Sequence, residues 1–373
     1  MALLVFLLCS GLFHFTFTSN RLRMFDIGPR IKWSGASNHC IQNNESPVTL
    51  YDEEDDNFTE KFRDSETNYG IWLGLRKSRN LTWSNGDNVS FNKSSVSLTE
   101  GEQMCEAIDN DTWTGYTCSE KKHFMCSKDG TYTLIEKEAE DWCHALKYCR
   151  THNSDLVSIQ SERENELVLE KGNNRSFWIG LMHDKWEWQD NGCSSFRELT
   201  IDPRPGEEKE CAYYRHGIMY EVGCGQCHNS FCSKGDMRIK VINKNLTWEE
   251  AFEYCETKHS GLLWIEDEED QDAVEQWLER SDVVGPFWIA LRQSRVFGFW
   301  IWRDSTVSYN NWKNGFVPES PSSHICGVIS DRTGNFTWTD ENCLFEHPFL
   351  CEEEIVYTNM GLTADHGHEN HNE

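Results

Sequence analysis

The chain has 373 residues, a formal charge of −27 and 16 cysteines. That charge argues against nucleic acid and anionic lipid heads as partners, because both demand clustered Lys and Arg. Beyond the first twenty residues no run is apolar for long enough to cross a bilayer, and no apolar tail signals a lipid anchor.

In chain order the first feature is the uncharged apolar run from Ala2 to Phe17. Its length suits a signal peptide over residues 1–19 and predicts a secreted, extracellular protein. Arg21 and Arg23 follow the run and no basic residue precedes it, so an uncleaved anchor is the alternative. Asn-x-Ser/Thr acceptors at Asn57, Asn80, Asn88, Asn92, Asn110, Asn174, Asn245 and Asn335 agree with export and predict a glycoprotein. A further acceptor at Asn44 is weakened by Pro47.

A tandem repeat dominates the rest. Trp33-x-x-Ala36-x-x-x-Cys40 recurs at Trp142, Ala145 and Cys149, and again at Trp248, Ala251 and Cys255. These residues fall at i, i+3 and i+7, one face of a helix. A second helix fits Asp52 to Arg63, Ser161 to Glu170 and Asp267 to Glu279, each opened by Ser or Asp with acids early. Buried strands follow around Trp72, Trp178 and Trp288. Each copy closes with two cysteines eight residues apart: Cys118 and Cys126, Cys224 and Cys232, Cys343 and Cys351.

Helices first and strands after predict α+β domains, not an alternating parallel sheet. The repeats set three domains, 24–128, 130–233 and 237–353, joined by short polar links. Residues 354–373 read as a disordered, acidic, His-containing tail. The histidines His366, His368 and His371 are more simply solvated than metal-bound. Regular cysteine spacing predicts a disulfide framework in an oxidising compartment.

The Trp-Ala-Cys helix, the Trp-Ile-Gly-Leu strand and the two late cysteines resemble the C-type lectin-like domain. The tandem arrangement resembles the ectodomain of the macrophage mannose receptor family, with three domains and no membrane anchor. The resemblance implies two disulfides per domain: Cys40–Cys126 with Cys105–Cys118, Cys149–Cys232 with Cys211–Cys224, and Cys255–Cys351 with Cys326–Cys343. Each long bridge would contribute about 4–5 kcal/mol and each short one about 3. Cys143, Cys193 and Cys227 remain in domain two. They fit an extra internal bridge plus one free thiol, or a covalent dimer through the unpaired cysteine.

Sugar-binding members of that family hold calcium through a long loop, a Glu before the third cysteine and a Trp-Asn-Asp triplet. Calcium wants six to eight oxygens, several of them anionic. Domain three has Trp338-Thr339-Asp340, a loop ending Val317-Pro318-Glu319, and His324 at the Glu position. Its weak metal candidates are Glu319 and Asp340, and its ligand-contact candidates are Trp312, Glu319, His324 and Asp340. Domain two offers Asp202-Pro203-Arg204, Lys209 and Met219-Tyr220-Glu221; domain one offers Gln103 and Trp113-Thr114-Gly115. The expectation is therefore a recognition protein binding glycan or protein, with no cofactor required and calcium confined to domain three. The alternative is a calcium-dependent carbohydrate-binding lectin acting through domain three. No Gly-x-Ser-x-Gly, His-Glu-x-x-His, phosphate loop or dinucleotide fingerprint is present, and an enzyme is not expected.

Overall fold

The computed structural model describes residues 21–78, 81–98, 102–201, 208–294, 298–303, 305–318 and 325–358. The leader over 1–19 with Cys9, the acceptor Asn80, and the tail 359–373 with its histidines lie outside the described residues.

Six helices carry the repeat: α1 (Trp33–Gln42), α2 (Glu53–Glu66), α3 (Trp142–Thr151), α4 (Glu162–Gly172), α5 (Trp248–Lys258) and α6 (Glu268–Leu278). The second helix of each copy starts where its cap residue dictates. Asp52, Ser161 and Asp267 accept from backbone N–H groups of the first turn, and acidic residues there suit the helix dipole. The first helix of each copy buries its Trp, Ala and Cys, as the spacing demands.

Tryptophan ties each first helix to a strand in the same way three times. Trp33 Nε1 donates to the Leu73 carbonyl at 3.1 Å, Trp142 Nε1 to Ile179 at 2.8 Å, and Trp248 Nε1 to Ile289 at 2.8 Å. The strand tryptophan answers. Trp72 Nε1 donates to Ile31, Trp178 Nε1 to Glu140 and Trp288 Nε1 to Leu246, all at 2.8–2.9 Å. Each amino-terminal half-repeat is thus locked internally, with both buried indoles satisfied.

The halves are then combined in an unexpected way. In the third repeat the strand Phe287–Gln293 turns back on itself, with Gln293 opposite Trp300 and Leu291 opposite Trp302. In the first two repeats the same hairpin is opened and exchanged. Lys77 lies opposite Trp186 and Leu75 opposite Trp188, while Trp83 bridges to Leu181. The first body therefore joins residues 22–77 to 186–234. Its sheet runs Met24–Ile31, His228–Lys234, Ile71–Lys77, Cys211–Arg215, Ile218–Val222, Leu199–Ile201. The second body is the continuous segment 83–184, inserted into the first as a circular permutant. Its sheet runs Thr112–Tyr116, Gln103–Asp109, Phe177–Asp184, Lys122–Lys128, Thr131–Glu140. The third body, 237–354, is closed on itself. Every body is α+β, and its sheet is mixed because the closing strand runs parallel to the Trp-bearing strand.

This exchange corrects two expected disulfides. Cys40 bonds Cys232, not Cys126, and Cys126 bonds Cys149, so Cys149 does not reach Cys232. The helix cysteine still meets the last cysteine of its own sheet, but that strand comes from the other repeat. Cys105–Cys118, Cys211–Cys224, Cys255–Cys351 and Cys326–Cys343 are also bonded. Cys143–Cys193 joins α3 of the second body to the first-body segment after Trp186–Trp188. Cys227 is free and exposed. The expected domain limits 24–128 and 130–233 describe the sequence repeats but not the two bodies built from them.

The first and third bodies share one apolar core. Phe58 of α2 stacks on Trp277 of α6 at 4.2 Å, with Phe25 beside them. Gln276 of α6 exchanges two hydrogen bonds with the Phe25 backbone, at 2.9 and 2.8 Å. Arginines cross in both directions: Arg21 reaches Asp270 and Glu352 of the third body, and Arg238 reaches Asp52 and Asp55 of the first while also pairing with Glu353 of its own. The carboxy-terminal segment is ordered beyond expectation. Glu354 ends the strand His347–Glu354, and residues 355–358 run on between the bodies. The Cys193 N–H donates to the Val356 carbonyl at 2.7 Å, the Thr358 N–H to Asn191 at 2.7 Å, and Tyr357 Oη to Asp236 at 2.7 Å. Arg150 of α3 donates to the carbonyls of Tyr357 and Thr358.

Cleavage at an engineered protease site replacing the exposed Asp129-Gly130 joint separates the two exchanged repeats in sequence. The product is expected to run as one species on a non-reducing gel and as two fragments after reduction, because Cys40–Cys232 and Cys126–Cys149 both span the cut. Two fragments without reduction would restore the pairing within repeats.

Acid is expected to loosen the contact between the first and third bodies. Burial opposes ionisation of Glu353, but its hydrogen bond with His259 and the Arg238 and Lys240 charges outweigh that and hold the carboxyl down at about 2. Asp52, opposed by burial in the same way, is lowered by Arg238 and Lys240. A depressed carboxylate stabilises above its ordinary value and loses that contribution as pH falls through the folded one. Protection of α2 and the strand Met237–Leu246 against hydrogen exchange, taken relative to the intrinsic rate at each pH, should therefore fall as pH drops from 4.5 toward about 2.

Candidate ligand-binding site

The residues singled out in the third repeat separate into a core member and a surface member. Trp312 is 4% exposed. Its ring lies 4.6 Å from Trp300 and 5.9 Å from Trp338, and its backbone bridges to Trp338. Trp338 is fixed in turn by its Nε1 donating to Gln271 of α6 at 3.0 Å. Trp312 therefore anchors the long loop, and its proposed ligand contact is corrected: no face of the ring is left for a ligand. Asp340 sits in the strand Trp338–Asn342 opposite Gly327 and is exposed, with no ion pair among the described residues. Glu319 and His324 lie outside the described residues.

The same positions in the other two bodies do not suit a calcium ion. In the first body the triplet carboxylate, Glu221, is 4% exposed and lies 3.6 Å from Lys77, a residue delivered by the other repeat. Asp202, Pro203 and Arg204 lie outside the described residues. In the second body Gln103 donates to Asp184 at 2.9 Å, and Asp184 also takes Arg197 at 2.8 Å. Trp113 Nε1 donates to Asn165, and Val96 lies over Gly115, so this triplet is packing. Cations and an amide stand where a hard cation needs anionic oxygens. Among the described residues no group of three or more His, Cys, Asp or Glu is placed to hold a metal.

Sequence reasoning missed the apolar exposure at one end of the third body. Phe316 is 79% exposed, Leu344 65%, Phe345 53% and Val317 50%. The strand pairing places these at one sheet end. Gln293 pairs with Trp300, whose Nε1 donates to the Pro318 carbonyl at 3.3 Å. Arg292 pairs with Cys326, which is bonded to Cys343, and Leu344 follows directly. The signal was present: the two residues after the penultimate cysteine are Ser119-Glu120 and Gly225-Gln226 in the other repeats, but Leu344-Phe345 here.

A polar cavity of about 260 Å³ also lies where the three bodies meet, between Tyr51, His144, Lys147, Arg238, His259 and Glu353. Its charged side chains are largely paired with one another, as in Lys147–Glu354 at 3.1 Å and His144–Asp141 at 2.6 Å.

The family model described as "Lectin C-type domain" matches residues 30–128, 138–234 and 244–353. The chain belongs to the C-type lectin domain family. The matched segments follow the sequence repeats, the first two of which the fold divides between two C-type lectin bodies. The secretory phospholipase A2 receptor of Bos taurus is 28% identical over 258 residues, 58% of this chain and 17% of the receptor. The C-type mannose receptor 2 of Mus musculus is 21% identical over 385 residues, 79% of this chain and 26% of that protein. C-type lectin BML-1 of Bungarus multicinctus is 30% identical over 133 residues, 35% of this chain and 84% of that lectin. The chain thus spans a minor part of the two receptors.

Replacing Trp312 by Ala should cost about 3–5 kcal/mol in denaturant unfolding, the range for a buried aromatic. Asp340→Asn should change stability by no more than about 0.5 kcal/mol, as for other exposed sites.

Proposed function

We propose that this C-type lectin domain protein is a secreted glycoprotein that recognises a glycan or protein ligand through the loop end of its third body. In this reading the first two bodies lack the usual calcium-sugar site and serve chiefly to present the third. The observation that carries it is the exposed set Phe316, Val317, Leu344 and Phe345, together with the exposed Asp340, which has no ion pair among the described residues. Large apolar side chains grouped at a loop end mark a contact surface. The receptor names of two relatives favour ligand binding over catalysis.

Secretion is supported by seven disulfides. It is also supported by the exposure of Asn57, Asn88, Asn92, Asn110, Asn174, Asn245 and Asn335, every described acceptor in the expected set. No helix among the described residues is long and apolar enough to cross a membrane. A covalent dimer would use Cys227, the exposed free thiol.

Asp340 favours one second reading, a calcium-dependent carbohydrate-binding lectin acting through the third body. An array of glycans and extracellular proteins, probed with the whole chain in calcium and in chelator, separates the two. Capture that survives chelator and is unchanged by Asp340→Asn is expected. Capture that chelator elutes and Asp340→Asn abolishes would establish the lectin reading instead.

A further inference from the structure

One disulfide stands apart from the framework that the repeats share. Six of the seven bridges each close within a single body, and among the described residues only Cys143–Cys193 joins two. Its cysteines have no counterparts in the other repeats. Ser34 and Glu249 follow the helix tryptophan where Cys143 follows Trp142. Val307 stands five places after Trp302, where Cys193 stands five after Trp188.

The surroundings of this bridge suit reduction. Cys143 lies half-buried in the first turn of α3. N–H groups there have no intrahelical acceptor, and with the helix dipole they stabilise a thiolate. Cys40, Cys149 and Cys255 instead sit at the eighth position of their helices, toward the end where the dipole opposes negative charge, and all three are buried. Cys143 and Cys193 both line the cavity where the three bodies meet, beside the exposed His144. The acids of that cavity are each held by a basic side chain: Asp141 by His144, Glu354 by Lys147, and Asp52 and Glu353 by Arg238. No uncompensated carboxylate there opposes a thiolate on Cys143.

We propose that Cys143–Cys193 is a redox-sensitive latch, opened by a dithiol reductant, that fixes the second body against the first. One thiolate of the dithiol attacks the Cys193 sulfur through the cavity, the bond to Cys143 breaks, and Cys143 leaves as a thiolate. The second thiol of the reductant then attacks the mixed disulfide and releases Cys193. The reductant departs as its own disulfide, and its two protons end on the two cysteines. A leaving thiol of low pKa speeds the first step, and a stabilised reduced form makes the pair easier to reduce. What the bridge holds is the seam. Asn191 accepts from the Thr358 N–H, Gly192 pairs with Tyr357, and the Cys193 N–H donates to Val356. Arg150 of α3 clamps the same segment from the second body. Reduction unties α3 from residues 191–193, so the segment 355–358 loses the fixed spacing of its two walls. The covalent links left between the two bodies are the crossings at 77–83 and 184–186.

The test titrates the full chain with dithiothreitol in the absence of denaturant, alkylates it, and maps the labelled cysteines by mass spectrometry. Cys227 is already free and reports that alkylation is complete. Cys143 and Cys193 should be labelled together, at a ratio of reduced to oxidised dithiol about tenfold or more below that for the next pair. At that point hydrogen exchange in 191–193 and 355–358 should speed by about tenfold or more while that of α5 is unchanged. Returning the chain to oxidised dithiothreitol should restore both. Cys143→Ala with Cys193→Ala, kept oxidised elsewhere, should show the same fast exchange with a native circular dichroism spectrum. If that variant does not fold, the wild-type titration decides alone. Cys211–Cys224 or Cys326–Cys343 opening before Cys143–Cys193, or together with it, would overturn the proposal. Exchange at 355–358 that is the same with the bridge open and closed would also overturn it, since the bridge would then be a passive staple.

Discussion

The reciprocal hydrogen bonds between two tryptophans in each amino-terminal half-repeat are the constraint on which the architecture depends. The helix indole is held by the strand and the strand indole by the chain before the helix, so helix, strand and entry segment form one rigid piece. Such a piece buries two large aromatic side chains and satisfies both N–H donors without help from the closing strands. What it lacks is a cover for the far side of its central strand. Any strand set with the right hydrophobic alternation can supply that cover, and this chain contains three similar sets.

Exchange between the first two repeats follows from that degeneracy. Opening one hairpin in each repeat and pairing across costs no strand pairing, because Lys77 finds Trp186 and Leu181 finds Trp83 in the register that Gln293–Trp300 and Leu291–Trp302 show closed. Swapping an identical element is inexpensive because the contacts are the same in either arrangement. What the exchange adds is connection. The second body enters and leaves the first through two adjacent strands, Cys143–Cys193 fastens them beside the crossing, and residues 355–358 run over the seam. The arginines crossing between first and third bodies complete a single assembly. A buried ion pair is a weak source of net stability, so their role is better read as fixing the angle between bodies, with the shared Phe58–Trp277 contact supplying the attraction.

A fixed assembly changes what tandem repetition means for recognition. Three flexible modules would each offer an equivalent loop face. Here two of the three faces are occupied by the chain's own charges, Lys77 on Glu221 in one and Arg197 with Gln103 on Asp184 in the other. The third keeps an open apolar tip. In the proposed reading, repetition in sequence becomes division of labour in space, with two bodies as scaffold and one as the contact element.

Much of this was legible in the chain. Caps at Asp52, Ser161 and Asp267, the helix face bearing Trp, Ala and Cys, and the short Cys105–Cys118 type of bridge are local or nearly so, and local rules reach them. The apolar pair Leu344-Phe345 was visible as a departure from its counterparts, though its exposure was not, because a short apolar run reads the same in a core and on a tip. Trp312 failed as a ligand contact for the converse reason: only the packed positions of Trp300 and Trp338 show that its ring is enclosed. By itself the sequence determined three half-units of each kind, their helices, their strands and the cysteine each would offer. Which half closed on which was decided by tertiary structure alone, since repeats that are alike present equal local contacts, and only the spatial course of the chain distinguishes Cys40–Cys232 from Cys40–Cys126.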